Sequence, residues 1–261
     1  MYRNTRLNTK SSDIEESIQY AKKIQDAILP GNYDLFYALR DYFLFYQPRD
    51  VIGGDFYWVT TRNNIVVLVV GDCTGHGIPG ALLTMLGTSA LNDLVKDKNI
   101  IMPDEILNKL RQQIISVLYN SDQTETQDGI DISVCTIDYE KKILYFSGAR
   151  NDVFFIHNGN MQELKADKMP IGRYLKMDRF TLKEFNYAKG DLIYLFSDGY
   201  KDQFGGKDGR KLGKKRFREL IRNIHFRDMA VQKEILSTQH ITWKGLNTQV
   251  DDIVVLGVRL R

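Results

Sequence analysis

Four aspartates stand at the ends of apolar runs, three of them beside glycine. Asp55 follows Gly53-Gly54 and opens the run FYWV; Asp72 closes IVVLVVG; Asp198 follows LIYLFS and precedes Gly199; Asp251, with Asp252 beside it, opens IVVLGV. Taken singly, each is most simply a turn or cap residue. Gathered into one cleft, they would repel each other and resist desolvation, and one or two divalent cations would remove that cost. A ligand set made only of oxygen selects Mg²⁺ or Mn²⁺ over zinc. The turn after Asp72, Cys73-Thr74-Gly75-His76-Gly77-Ile78-Pro79-Gly80, is glycine-rich, so its backbone carbonyls can approach an ion closely.

The same turn matches G-x-G-x-x-G, which raises a dinucleotide fold. That reading fails because the match starts several residues after the strand and Asp72 would repel a pyrophosphate. A cysteine phosphatase needs an arginine a short loop beyond its nucleophile, yet six residues past Cys73 is Pro79 and six past Cys135 is Lys141. His76, His157, His225 and His240 form no H-E-x-x-H pair, and neither a P-loop nor a G-x-S-x-G elbow occurs. The basic group Lys207, Arg210, Lys211, Lys214, Lys215, Arg216 and Arg218 reads as a solvated loop and helix face, with a docking surface for an acidic protein or a phosphate as the alternative.

These side chains must be held by a fold, and the pattern along the chain says which kind. Strand-like runs cover 42–46, 56–61, 65–71, 130–138, 143–147, 153–157, 191–197 and 253–259. Several meet at hairpin signals such as Arg62-Asn63-Asn64 and Asn158-Gly159. Helical stretches read as 81–95, 103–119, 214–224 and 229–243. Many hairpins and few strand–helix–strand units predict antiparallel sheets with helices outside them. Ahead of Pro30-Gly31, Ser12 to Leu29 has no glycine or proline. Ile14, Ile18, Ala21 and Ile28 form one stripe of an amphipathic helix, capped at Ser12 or Asp13. The organisation expected is an N-terminal linker or regulatory helix over 1–30 and a single catalytic domain over 31–261. The helix either packs on its own domain or dimerises and transmits signals, with Gln25 interrupting the seam.

Composition sets the bounds. The chain has 261 residues, 43% hydrophobic and 26% charged, with 36 basic against 33 acidic side chains for a net +3. Such a small surplus does not mark a nucleic-acid binder, no apolar run approaches the roughly 20 residues of a membrane span, and no secretion signal opens the chain. Two cysteines cannot build a disulfide framework, and a cytoplasmic protein is expected.

Six ordered blocks, PRDVIGGDFYWV, GDCTGHGIPGALLTML, DISVCTID with LYFSGARN, DKMPIG, LFSDGYKDQFGG and QVDDIVVLGVRL, resemble the metal-dependent protein phosphatase (PPM) superfamily. More narrowly they resemble the SpoIIE/RsbU-type bacterial serine/threonine phosphatases, relatives of protein phosphatase 2C. The resemblance spans about 42–260. It implies an α+β fold, two packed antiparallel β-sheets flanked by helices on both faces, with two Mn²⁺ or Mg²⁺ ions at one end. It implies metal ligation by Asp55, by Asp72 as the bridging ligand, by the backbone carbonyl of Cys73, by Asp198 and by Asp251, with Asp252 behind them. It further implies hydrolysis of phosphoserine or phosphothreonine by a water bridging the two ions. His76 is the candidate proton donor to the leaving oxygen or a brace of its loop, and Arg49 lies near the place of a phosphate-holding arginine. SGARND departs from the expected Asn-Asn-Pro, which leaves a third metal near Asp152 in doubt. The partners implied are a phosphorylated protein, such as an anti-anti-sigma-factor-like domain, and a second copy or a sensor domain coupled through 12–29. The competing functions are a two-metal phosphoesterase acting on a nucleotide or small phosphoester, and a catalytically idle interaction domain.

Overall fold

A computed structural model describes residues 2–119 and 128–261, with side chains from Asp13 onward. The chain begins with α1 (Tyr2–Ile28) and α2 (Asn32–Leu39), followed by β1 (Tyr42–Gln47), β2 (Asp55–Arg62) and β3 (Ile65–Cys73). Next come α3 (Gly77–Leu91), a π-helical turn Asn92–Asp97 that continues it, and α4 (Pro103–Leu118). The strands β4 (Ile130–Asp138), β5 (Ile143–Ala149), β6 (Val153–His157), β7 (Asn160–Leu164), β8 (Lys183–Asn186) and β9 (Leu192–Phe196) follow. The chain closes with α5 (Gly199–Asp202), a small hairpin of β10 (Phe204–Gly205) and β11 (Arg210–Lys211), α6 (Gly213–Ile224), α7 (Met229–Lys244) and β12 (Ile253–Arg259).

Two five-stranded sheets, ordered β1-β12-β9-β6-β7 and β2-β3-β4-β5-β8, are antiparallel at every pairing. One core cluster fills the space between them and extends under α2, α3 and α4, through Leu68, Val134, Leu195 and Leu256 to Leu91 and Leu107. A second joins the outer face of the first sheet to α6 and α7, through Phe43, Phe154, Phe196, Phe217 and Leu236. Strands covered on both faces carry unbroken apolar runs, as β3 and β12 do, because neither face can be polar. The β6–β7 turn is the two-residue loop Asn158-Gly159, both at positive φ (49° and 75°), the conformation that matches hairpin twist and that Asn-Gly favours.

The predicted sandwich and its eight strands are present; β7, β8 and the β10–β11 pair are additional because they are short and polar. Residues Ser12 and Asp13 are not a helix cap: α1 runs through them, since nothing from Tyr2 onward breaks a helix. Likewise α3 starts at Gly77, four residues ahead of the expected start, because Pro79 is tolerated in a first turn where its missing N–H has no partner to lose. The helical stretch Gly77–Asp97 is 21 residues long and apolar enough to cross a membrane, yet over half of it is buried against β2, β3 and α4. It is a core helix.

Candidate functional site

The antiparallel register delivers the aspartates to one end of the sandwich. Asp55 pairs with Asp72 across β2–β3, and Asp72 pairs with Asp131 across β3–β4, so three carboxylates stand side by side on adjacent strands. In the other sheet β9 ends and β12 begins at this same end, which brings Ser197, Asp198, Asp251 and Asp252 to it. The two groups meet directly. The Asp198 backbone N–H hydrogen-bonds the Asp72 carboxylate, and the Ser197 side chain hydrogen-bonds Asp55.

Electrostatically the cluster is frustrated. Burial first, and then the neighbouring Asp72, push the Asp55 carboxyl well above the usual carboxylate range, with Ser197 opposing. Burial, followed by Asp198, Asp251 and Asp131, does the same to Asp72. Asp251 is raised chiefly by burial. Asp131 is pushed up to about 6, again by burial, although Arg150 pulls it down. Asp55 Oδ2 is buried without a hydrogen-bond partner among the described residues. An unpartnered carboxylate oxygen facing other carboxylates is what a cation would satisfy, so the residues present fit a divalent metal. Among the described residues, no three His, Cys, Asp or Glu side chains form a closed metal cage. A hard ion held by one or two carboxylates, with water completing its shell, needs no such cage.

Asp252 takes a different part from Asp251. It is buried, and its oxygens accept the backbone N–H groups of Arg49 (2.7 Å) and Gly54 (2.6 Å), fixing the loop that carries Asp55. That loop also packs against the start of α3. A Cβ on Gly80 would lie 2.5 Å from the Gly75 carbonyl oxygen and 2.8 Å from the Gly54 Cα, so only glycine permits the approach. Thr84 on α3 donates to the Gly54 carbonyl at 2.7 Å, and Cys73 N–H donates to the same oxygen at 3.3 Å. The fourth support comes from α1. Gln25 is 2% exposed; its Nε2 donates to the Gly53 carbonyl (2.7 Å) and its Oε1 accepts from the Gly53 N–H (3.2 Å). The seam position that looked like a polar interruption is thus the point where α1 grips the site. Further back on the helix, Ile14 and Tyr20 remain exposed.

His76 and Arg49 lie beside the cleft and engage each other. The His76 Nδ1 is 2.7 Å from Arg49 Nη2 and 3.1 Å from Asp50 Oδ2, while Arg49 Nη1 donates to the Val250 carbonyl at 3.4 Å. These contacts brace the loop after β1 against the turn before α3. The Asp152 carboxylate is committed to other partners: it pairs with Lys165 (3.3 Å) and Lys214 (2.6 Å) and accepts the Ala166 N–H (2.8 Å). Lys214, and Lys211 through Asp202, are thereby removed from the basic group, whose other members largely stay solvated. Asp131, Ser197 and Gln25 were not among the site residues expected from sequence. The carboxylate of Asp131 at a strand start was a usable signal, but its pairing with Asp72 runs through a connection of two helices and leaves no local trace.

The family model for stage II sporulation protein E (SpoIIE) matches residues 62–261. The chain is 23% identical over 192 residues to the phosphoserine phosphatase RsbU of Bacillus subtilis (strain 168), covering 72% of this chain and 54% of RsbU, so it spans about half the length of that relative. Among solved structures, the SiaA-PP2C domain of Pseudomonas aeruginosa superposes with a TM-score of 0.88 at 31% identity, over 97% of this chain and 99% of that one. RsbX, solved in complex with magnesium, shares the fold at a TM-score of 0.56 and 14% identity, over 84% of this chain and 94% of its own. With the family model covering most of its length and a protein phosphatase 2C-type sandwich carrying its carboxylates, the chain belongs to the SpoIIE family.

Proposed function

We propose that the chain is a Mn²⁺- or Mg²⁺-dependent serine/threonine protein phosphatase that serves as the output module of a signalling protein. The observation that carries this reading is the meeting of the two sheets' carboxylates: Asp72 bonded to the Asp198 backbone, with Asp55 buried beside them and one oxygen unpartnered. Asp55, Asp72, Asp198, Asp251 and the Cys73 carbonyl would hold two ions. When bound, such ions lower the pKa of water and neutralise charge on phosphate oxygens. The protein supplies the placement. Asp252, Gln25 and Thr84 hold the Gly53-Gly54-Asp55 segment, and Arg49 with Asp50 holds His76 at the mouth of α3. The name of RsbU supports phosphoserine as the substrate group, and RsbX with magnesium supports a hard divalent ion. An anti-anti-sigma-factor-like phosphoprotein suits this reading.

The test is hydrolysis of p-nitrophenyl phosphate with Mn²⁺, with and without chelator, beside Asp198→Asn. Strong metal dependence and at least about a hundredfold loss in the variant are expected, since removing a ligand removes a positioned ion. Equal rates in EDTA would overturn the mechanism.

A further inference from the structure

Two arginines flank the carboxylate cleft, and their hydrogen-bonding states differ. Arg49 is committed: its Nη2 is on His76, its Nη1 on the Val250 carbonyl, and Asp50 lies 3.2 Å away. Arg150, at the opposite flank beside Asp131, is set up and left open. Its Nε donates to the Lys168 carbonyl (3.1 Å), which fixes the plane of the guanidinium. The ring of Tyr174 lies 4.9 Å from its Cζ, a cation–π distance. Its Nη1 is 3.9 Å from Asp131 Oδ1, a loose ion pair longer than a hydrogen bond. Nη2 makes no hydrogen bond to any described residue. A planar fork steered by a ring and a carbonyl, with donors to spare, is the arrangement that recognises an oxyanion.

The backbone at this position argues the same way. Arg150 has φ +57°, a region that costs an ordinary L-residue energy and that glycine or asparagine enters easily. The conformation is imposed by its neighbours: Arg150 N–H donates to the Asp167 carbonyl at 2.7 Å, and Asp167 N–H to the Gly148 carbonyl at 2.9 Å. Strain retained with a long charged side chain at the edge of a cleft indicates that the side chain has work there. Beside it, Tyr174 and Leu175 are exposed on the loop that follows Gly172, presenting apolar surface next to the guanidinium.

We propose that Arg150 is a specificity-determining residue that grips an oxyanion of the phosphoprotein substrate on the Asp131 side of the cleft, with Tyr174 propping its guanidinium. The proposal rests on the phosphatase reading and adds to it the residue that selects the substrate. The oxyanion is either the phosphoryl group or a carboxylate flanking the phosphoserine, and three substrates separate the two: p-nitrophenyl phosphate, a phosphoserine peptide with alanine flanks, and the same peptide with aspartate flanks.

Arg150→Asn is the informative variant, because asparagine accepts a positive φ and so preserves the fold. Its KM is expected to rise about tenfold or more, the worth of a charge-assisted hydrogen bond, with the loss carried in KM rather than kcat. The Mn²⁺-induced rise in Tm should be retained. Arg150→Lys, which keeps the charge and loses the fork, should recover only part of the affinity. A rise with all three substrates puts the guanidinium on the phosphoryl group; a rise confined to the aspartate-flanked peptide puts it on a carboxylate. Unchanged KM for all three, or a fall in kcat together with a smaller Mn²⁺ effect on Tm, overturns the proposal. Fluorescence anisotropy of the labelled phosphopeptides and their unphosphorylated forms supplies a readout independent of turnover. If the wild type binds phosphopeptide without hydrolysing it, the phosphatase reading fails while Arg150→Asn still decides this one.

Discussion

A carboxylate that is 2% exposed and has one oxygen unpartnered, as in Asp55, destabilises a fold unless something positive sits beside it. Its pKa is raised in the folded protein, so the native state holds a proton that the unfolded chain has already released. Stability of the ion-free protein therefore falls as pH rises above the ordinary carboxylate value, so a cost is already present at pH 7.5. Asp55→Asn should then raise the Tm of EDTA-treated protein at that pH, by about 2–4 °C per kcal/mol in a chain of this size, and should abolish the stabilisation by Mn²⁺. Thermal melts with and without Mn²⁺ check it. A wild-type Tm indifferent to Mn²⁺ together with a lower Tm in the variant would contradict the account. Asp55, Asp72, Asp198 and Asp251 were legible in the sequence because each sits where an apolar run begins or ends, three of them beside a glycine. Asp131 and Ser197 were not, because their importance comes from what lies across the sheet or across the gap between sheets.

At the scale of elements, α1 and α3 both reach the same short loop. Thr84 of α3 and Gln25 of α1 hold consecutive peptides, Gly54 and Gly53, and the next residue is Asp55. Moving α1 thus pulls on the backbone of a metal-ligand candidate. Gln25→Ala removes two hydrogen bonds and leaves buried backbone groups unpaired, a cost of about 1–3 kcal/mol. Much of that cost should appear as weaker metal binding, because the loop can relax with the ion absent and must be held in place with it bound. The expected result is a several-fold higher Mn²⁺ concentration for half-maximal activity, with helix content unchanged by circular dichroism. Ile14→Ser, on the exposed part of α1, should leave that concentration where it is. Equal Mn²⁺ requirements in wild type and Gln25→Ala would remove α1 from the site. The sequence pattern gave α1 its existence and its end at Pro30-Gly31 but misassigned Gln25, since a helical wheel separates polar from apolar positions and cannot show that a buried backbone awaits an amide.

Across the whole molecule, hairpin signals and strand-length apolar runs made antiparallel sheets with outer helices readable, and the family resemblance implied their packing as a two-sheet sandwich. The strand order was not, because β1 beside β12 and β9 beside β6 are pairings between distant segments that no local pattern records. The same is true of the second core, where α7 lays His240 against Phe45 and Tyr200 with neither ring nitrogen hydrogen-bonded to any described residue. Burial, aided by Lys244, pushes its pKa down to about 4. A depressed histidine pKa means that the unfolded chain takes up the proton first, so stability is lost as pH falls from about 6.5 towards 4. The slope is about 1.4 kcal/mol per pH unit, or roughly 2 kcal/mol by pH 5. The carboxylate cluster acts in the opposite sense over this range, so the wild-type curve alone cannot isolate the histidine. His240→Leu can, since it fills the same apolar site with no titrating group and leaves the carboxylates untouched. Urea unfolding of both proteins from pH 7.5 to 4.5 should give a stability difference that is constant above pH 7 and shifts progressively in favour of leucine below about 6.5. A difference independent of pH would mean that the ring keeps its ordinary affinity for protons, and that α7 opens to water at little cost.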